Sequence, residues 1–303
     1  MNYTSLAGEL QSLVRGSIRI NESMRKHTTW KIGGNADVFL DPSDKGDIRQ
    51  AVEFARERAV PFTVIGNGSN LLIKDGGIRG LVIKIGRGMA NLSVNGNRIR
   101  AGAGAMLPEL AAVARKNGLG GFEFAAGIPG SLGGAVVMNA GAINGCAADV
   151  LVEVEVVNHN NKLVVLKKEE LDFAYRTSSL QNQGLICVET LWQGYAKEQW
   201  QIERETKEYL AKRKIAQPQG YPNAGSVFKN PQGDHAGRLI EACGCKGLRI
   251  GDAEISTKHA NWILNLGNAT AKDVLDLIDK IKQVVQKRFG VLLHLEVRVL
   301  GED

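Results

Sequence analysis

The chain of 303 residues has little of what membrane spans, metal centres and nucleic-acid platforms are made from. Its apolar stretches are short or interrupted by charge, and residues 1–25 are polar, so the sequence offers neither a membrane span nor a secretory leader. The expectation is a soluble, cytoplasmic protein with no membrane partner. Four cysteines, Cys146, Cys187, Cys243 and Cys245, show no CxxC pair and no histidine at metal-ligand spacing. That argues against a zinc site and a disulfide framework, and predicts four buried thiols and no metal. Aromatic residues make up only 6% of the chain and the lysines and arginines are dispersed, so the net charge of +6 forms no basic stripe with stacking rings. Nucleic acid is therefore not an expected partner, and small phosphorylated ligands account for the charge as well. The Walker pattern is also missing, because no Gly-Lys-Ser/Thr follows any glycine loop. Gly102-Ala103-Gly104 starts like a dinucleotide fingerprint, but Leu107 stands where a third Gly or Ala belongs and Pro108 opens the helix, which excludes a Rossmann site there.

What the chain does have is glycine in clusters. Between Gly120 and Ala142 there are seven glycines and a single charge, Glu123. Bare backbone of this kind can lie close to a ligand and offer N–H groups, an arrangement suited to a diphosphate, although one such cluster alone also reads as a set of turns. Two further loops strengthen the ligand reading. Gly66-Asn67-Gly68-Ser69-Asn70 follows the strand-like Pro61–Ile65, and Asn223-Ala224-Gly225-Ser226 precedes Phe228-Lys229-Asn230-Pro231.

Around these loops the pattern alternates between strands and helices. Residues 17–40 are β-prone and broken by Gly33-Gly34; Ser43 and Asp44 can cap a helix that places Ile48, Val52 and Ala55 on one face. A hairpin is expected at Asn95-Gly96, a helix from Leu107 to Gly118, and a second hairpin from Val150–Val157 and Leu163–Leu166. A further strand covers Leu185–Leu191, and the charged segment Glu198–Lys214 reads as a helix. The last third carries a short helix near Ala236–Cys243 and a longer one from Thr270 to Gly290. The final strand alternates Val291, Leu293, Leu295, Val297 and Val299 with His294, Glu296 and Arg298. Arg176, in the mixed loop Phe173–Ser179, reads equally as surface decoration or as an anion clamp.

In combination and order, Thr28-Thr29-Trp30-Lys31-Ile32-Gly33-Gly34, Gly66–Asn70, Gly127–Gly134, Tyr175-Arg176, Asn223–Pro231 and Gly237-Arg238-Leu239-Ile240-Glu241-Ala242 resemble the UDP-N-acetylenolpyruvoylglucosamine reductases. The resemblance covers most of the chain. It implies an α+β protein with a two-part FAD-binding region of the p-cresol methylhydroxylase type, residues 1–205 with subdomains of about 1–78 and 79–205. A C-terminal α+β substrate domain, residues 206–303, would follow, with its last strand packing back toward the FAD region. The implied activity is NADPH-dependent, FAD-mediated reduction of an enolpyruvyl ether of UDP-N-acetylglucosamine in peptidoglycan precursor synthesis, with FAD bound non-covalently.

By the same resemblance Gly66, Asn67, Gly68, Ser69, Asn70, Gly127, Ile128, Pro129, Gly130, Ser131, Gly133 and Gly134 would hold the FAD diphosphate. Asn139, Gly141 and Ala142 would lie along the flavin. Arg176 would stabilise the enolate, Ser226 would protonate the carbanionic carbon, and Glu296 would support that proton transfer. Lys229 and Asn230 would meet the substrate diphosphate, with Tyr175 and Arg213 as further substrate contacts. Trp30 and Asn35 stand where the family pattern suggests Phe and Pro, and there is little room between Leu185 and the boundary helix for an inserted capping loop, so the chain resembles the branch without one. Two other readings stay open on sequence: another FAD oxidoreductase of the same flavin-domain type, and a non-catalytic nucleotide-binding protein. The oligomeric state is not legible.

Overall fold

The structure, a computed structural model, describes residues 2–142 and 145–303. The chain forms two compact units, one from Met1–Ile20, Val38–Asn67 and Gly80–Arg213, the other from Asn21–Asp37, Gly68–Arg79 and Lys214–Asp303. This differs from a linear division at residue 205. The helix Gln199–Ala216 runs unbroken through that position, and two early segments pack with the C-terminal third. No helix of the described residues is long and apolar enough to cross a membrane.

The first unit is built on two sheets. One has the order Ser17–Ser23, Asn35–Asp41, Ile78–Lys84, Phe62–Ile65, with the last two strands parallel. The helix Lys45–Glu57 begins where the Asp44 carboxylate accepts the Asp47 N–H, and it buries Ile48, Val52 and Ala55 as the spacing predicts. The other sheet is antiparallel, in the order Leu163–Lys167, Leu151–Val157, Ile186–Gln193, Arg98–Gly102, Leu92–Asn95. Its first hairpin turns one residue later than expected: Asn95 pairs with Arg98, and Gly96-Asn97 form the loop. The left-handed position, φ +58, falls on Gly96, which has no Cβ to resist it.

The glycine stretch of this unit is tied down at its only charge. The Glu123 carboxylate accepts the Gly121 N–H at 2.9 Å and the Lys197 ammonium at 2.9 Å, and Lys197 also reaches Glu205 at 2.7 Å. Burial alone would lower Lys197, but bonds to Glu205 and Glu123 outweigh it and hold the ammonium above its ordinary value.

The second unit has its own core, centred on Trp30, Phe228, Leu239, Ile240 and the inner face of Ala271–Phe289. That helix is capped by Thr270 and ends at Gly290 in the left-handed conformation, φ +69. A small antiparallel sheet, Arg249–Ile250, Ala253–Ile255 and Ile263–Asn265, lies in the same unit. The expected final strand is shorter than its alternation suggests. Only Arg298–Leu300 forms a ladder, parallel to Leu71–Ile73. Residues 294–297 instead bridge once, at Leu295 to Phe228, bend at 296 and 297, and exchange bonds with a loop: Glu296 N–H donates to Val227 O at 2.8 Å and Lys229 N–H to His294 O at 2.9 Å.

All four cysteines are free, as reduced thiols. Cys187 and Cys245 are buried, and burial pushes the Cys187 thiol up to about 12. Cys146 and Cys243 are only half-buried, which corrects the expectation of four buried thiols.

Trp30 is fully buried and its indole N–H donates to Ile263 O at 2.9 Å. Trp30→Phe should therefore destabilise the protein by about 1–3 kcal/mol in urea unfolding, the cost of leaving that carbonyl short of a partner. Lys197→Met should cost about 1.5–3 kcal/mol, the range for hydrogen bonds to charged groups. Because the folded Lys197 lies above its unfolded value near 10.5, that loss should be constant from neutral pH to about pH 10 and shrink on the alkaline side as pH rises through the folded value. Unfolding series at several pH values measure both.

Candidate active site

In the first unit the two glycine loops meet. Asn67 Nδ2 donates to Pro129 O at 2.7 Å, and a Cβ at Gly66 would stand 2.3 Å from Ser131 Oγ. Ser131 is 2% exposed and caps the short helix Leu132–Met138, its hydroxyl accepting the Gly134 N–H. The expected FAD residues divide here by role. Gly133 N–H donates to Ala103 O at 2.9 Å, and an added Cβ would meet Ala103 Cβ at 3.0 Å, so this glycine seats the helix on its neighbour. Gly134 is exposed, and a Cβ there would meet only Ser131 Oγ, at 3.3 Å. Its outward face carries no side chain. Gly130 O accepts Leu107 N–H and Ile128 N–H donates to Ala125 O, which holds the stretch before the helix. The residues present fit a diphosphate: small, uncharged, and bare of side chains where Gly134 faces outward.

Beyond the helix, Asn139 takes the left-handed conformation, φ +44, and is 8% exposed. Its Nδ2 donates to Ala174 O at 3.0 Å and its Oδ1 accepts Ala148 N–H at 3.1 Å. The side chain expected along the flavin is thus engaged at both ends within the protein. Gly141-Ala142 pair with Gly145-Cys146, and a Cβ on Gly141 would lie 2.6 Å from Cys146 Cβ.

Tyr175 and Arg176 occupy the two central positions of a turn closed by Ala174 and Thr177. Arg176 has φ +56, a region that costs an L-residue roughly 1–2 kcal/mol. Its guanidinium lies 5.2 Å from the centroid of the exposed Tyr175 ring. Tyr209, in the charged helix, connects it to Arg213. Arg213 donates to the Tyr209 hydroxyl at 3.1 Å, and its side chain covers Gly127, whose Cβ would stand 2.7 Å from Arg213 Cδ. Burial pushes the Tyr209 phenol up while Arg213 and Arg176 pull it down, so both cations act on one buried hydroxyl. Sequence reading missed Tyr209 because a tyrosine among charged residues carries no chemical signature.

The second unit collects the other candidates. Gly68, φ +69, must lack a Cβ, which would fall 2.0 Å from His27 O. Asn70 Nδ2 donates to Glu296 O at 3.0 Å, and Asn70 O accepts Arg298 N–H at 3.0 Å, so this residue holds the backbone around Glu296. Because Glu296 N–H donates to Val227 O, the residue after Ser226 is bonded directly to Glu296. Ser226, Glu296 and Lys229 are all half-buried. Asn230 is exposed, and its Oδ1 accepts the Ala236 N–H, capping the helix Ala236–Ala242. The Ser226 loop is braced by residues that sequence reading passed over. Asn261, 3% exposed, accepts the Phe228 N–H at 2.9 Å and donates to Phe228 O at 2.8 Å, and Thr29 Oγ1 donates to Asn223 O at 2.7 Å. An asparagine beside the apolar run Trp262-Ile263-Leu264 was the available signal for the first.

Comparison with known proteins bears on the family and the fold. A family model described as an FAD binding domain matches residues 36–167, and one described as the UDP-N-acetylenolpyruvoylglucosamine reductase C-terminal domain matches residues 217–300. Fold and matches together define an FAD-dependent oxidoreductase with an α+β C-terminal domain. UDP-N-acetylenolpyruvoylglucosamine reductase of Desulforamulus reducens is 77% identical over 303 residues, covering 100% of both chains. The enzyme of that name from Moorella thermoacetica is 47% identical, covering 100% of this chain and 99% of its own. The crystal structure of the Thermus caldophilus reductase superposes with a TM-score of 0.82 at 39% identity, over 94% of this chain and 98% of that one. Alkyldihydroxyacetonephosphate synthase, at TM-score 0.50 and 19% identity over 65% of this chain and 41% of its own, shares the fold alone. The chain belongs to the UDP-N-acetylenolpyruvoylglucosamine reductase family.

The two neighbouring glycines make separable predictions. Gly134→Val should fold with near wild-type thermal stability and purify with FAD far below one equivalent. Gly133→Val should lower the stability of the FAD-free protein, because its side chain collides with Ala103. Flavin absorbance per chain and thermal melts of the apo forms check both.

Proposed function

We propose that this protein reduces the enolpyruvyl ether of UDP-N-acetylglucosamine-enolpyruvate to UDP-N-acetylmuramate in the cytoplasm, with NADPH as reductant. The observation that carries the reading is the direct bond between the Ser226 loop and Glu296, which brings a hydroxyl-bearing and a carboxylate-bearing residue together on neighbouring backbone. Bound FAD supplies hydride transfer, from NADPH to the terminal methylene of the substrate.

The protein's own residues deal with the charge and the proton. Hydride addition at the methylene leaves negative charge on the neighbouring carbon and its carboxylate. Arg176 stabilises it as a permanent cation with a planar array of donors. Ser226 gives its hydroxyl proton to the carbanionic carbon, Glu296 supports that transfer, and the serine regains its proton from solvent. Lys229 meets the substrate diphosphate as a point charge, with Asn230, Tyr175 and Arg213 as further contacts. Gly66, Asn67, Gly68, Ser69, Ile128, Pro129, Gly130, Ser131 and Gly134 line the place of the FAD diphosphate. Gly133 seats the helix beside that place on Ala103, and Asn70, also of the glycine loop, holds the Glu296 carbonyl.

Ser226→Ala separates the two halves of the reaction. Flavin reduction by NADPH should stay within about twofold of wild type, while reoxidation by the enolpyruvyl substrate should slow at least about 10²-fold, the lower range for loss of a positioned acid or base. Ser226→Cys should recover part of the rate. Anaerobic stopped-flow at the flavin band, run separately with NADPH and with substrate, measures both. Equal slowing of the two half-reactions, or slowing of neither, would remove Ser226 as the proton donor.

A further inference from the structure

The Arg176 turn is closed by its own backbone, Ala174 N–H donating to Thr177 O at 3.1 Å and Thr177 N–H to Ala174 O at 3.2 Å. Those two bonds do not oblige Arg176 to be left-handed, and a left-handed arginine persists only where its surroundings over-determine it. The surroundings are the last turn of the helix Leu132–Met138 and one glutamine. Gln181 Nε2 donates to Arg176 O at 3.1 Å and to Val137 O at 3.0 Å. A primary amide has two N–H donors, and both are engaged here, one on the strained residue and one on the helix end. The Val137 carbonyl lies in the final turn, where no intrahelical partner exists, so it accepts without weakening the helix. Ser178 Oγ donates to the same carbonyl at 2.9 Å, and Asn139 holds the other side of the turn through Ala174 O.

We propose that Gln181 is a positioning residue for Arg176, fixing the direction of its side chain by locking the left-handed backbone to the helix that follows the glycine loop. The proposal rests on the role given to Arg176 above. The conformation sets where the Cα–Cβ bond points, so release of the Arg176 carbonyl lets the residue relax toward right-handed or extended backbone and swings the guanidinium away. Asn139 and Ser178 contribute to the same frame, but Gln181 bonds to Arg176 itself.

The test uses Gln181→Met in the FAD-loaded protein, a side chain of nearly the same length with no N–H donor. Gln181→Glu, which also lacks donors when ionised, serves if the Met variant fails to fold. Hydrogen exchange followed by mass spectrometry should show the Ala174 and Thr177 amides exchanging at least about 10-fold faster than in wild type, with global protection elsewhere unchanged. In anaerobic stopped-flow, reoxidation by the enolpyruvyl substrate should slow about 10-fold or more, with reduction by NADPH within about twofold of wild type. Placed on Arg176→Ala, the same substitution should change reoxidation by less than about twofold, since there is no guanidinium left to misplace. Unchanged exchange at the turn would overturn the hold by Gln181 whatever Arg176 does. Equal slowing of both half-reactions, or full multiplicative slowing on top of Arg176→Ala, would overturn its action through Arg176. Faster exchange beside an Arg176→Ala variant that reoxidises at the wild-type rate would instead overturn the reading of Arg176, leaving Gln181 as a structural brace only.

Discussion

A missing methyl group at Gly66 is the constraint from which the first unit's site follows. Any Cβ there would lie 2.3 Å from Ser131 Oγ, well inside contact distance, and would push that hydroxyl out of its capping position. With glycine in place, Asn67 reaches Pro129 O and Ser131 stays buried as the cap of the short helix. That helix then fixes everything downstream. Gly133 seats it on Ala103, its last turn receives Ser178 and Gln181, and Asn139 just beyond it carries the Ala174 carbonyl. A single close approach thus sets the diphosphate loop and the Arg176 turn in one frame.

The second unit solves a different problem, which is to hold a serine and a glutamate near each other on irregular backbone. Irregular segments need outside partners for their polar groups. Here Asn261 satisfies both backbone groups of Phe228, Asn70 satisfies Glu296 O, and Val227 O takes the Glu296 N–H. Buried or half-buried asparagines do this well because one amide both donates and accepts. The same exchange explains why residues 294–297 are not part of a longer ladder: their hydrogen bonds go to the Ser226 loop.

Several residues expected to touch ligand are engaged by groups of the protein itself. Asn139 and Asn70 have the composition of ligand contacts, yet their side chains brace Ala174 and Glu296. Gly133 belongs to the diphosphate motif but packs a helix, while Gly134 beside it faces outward. Adjacent glycines are indistinguishable in a sequence, since neither has a side chain to declare its environment. The division into units was equally hidden, because residues 21–37 and 68–79 join the C-terminal third through contacts that no local pattern encodes.

What the sequence determined by itself is what depends on neighbours a few positions away. The capped helix Lys45–Glu57 with its apolar face, the Thr270 and Gly290 ends of the long helix, and the two hairpins all arise from local spacing and backbone freedom. The ordered set of glycine, Tyr-Arg and Asn-Ala-Gly-Ser motifs also identified the family, because their combination is specific where each alone is not. Tertiary structure alone decided which groups the residues of those motifs bond within the protein. Tyr209 under the Arg213 guanidinium, Gln181 on the Arg176 carbonyl and Asn261 on the Phe228 backbone are brought to their places by packing. Their roles come from partners between four and dozens of residues away in the chain, reached by a hydrogen-bond geometry that no residue's own identity reveals.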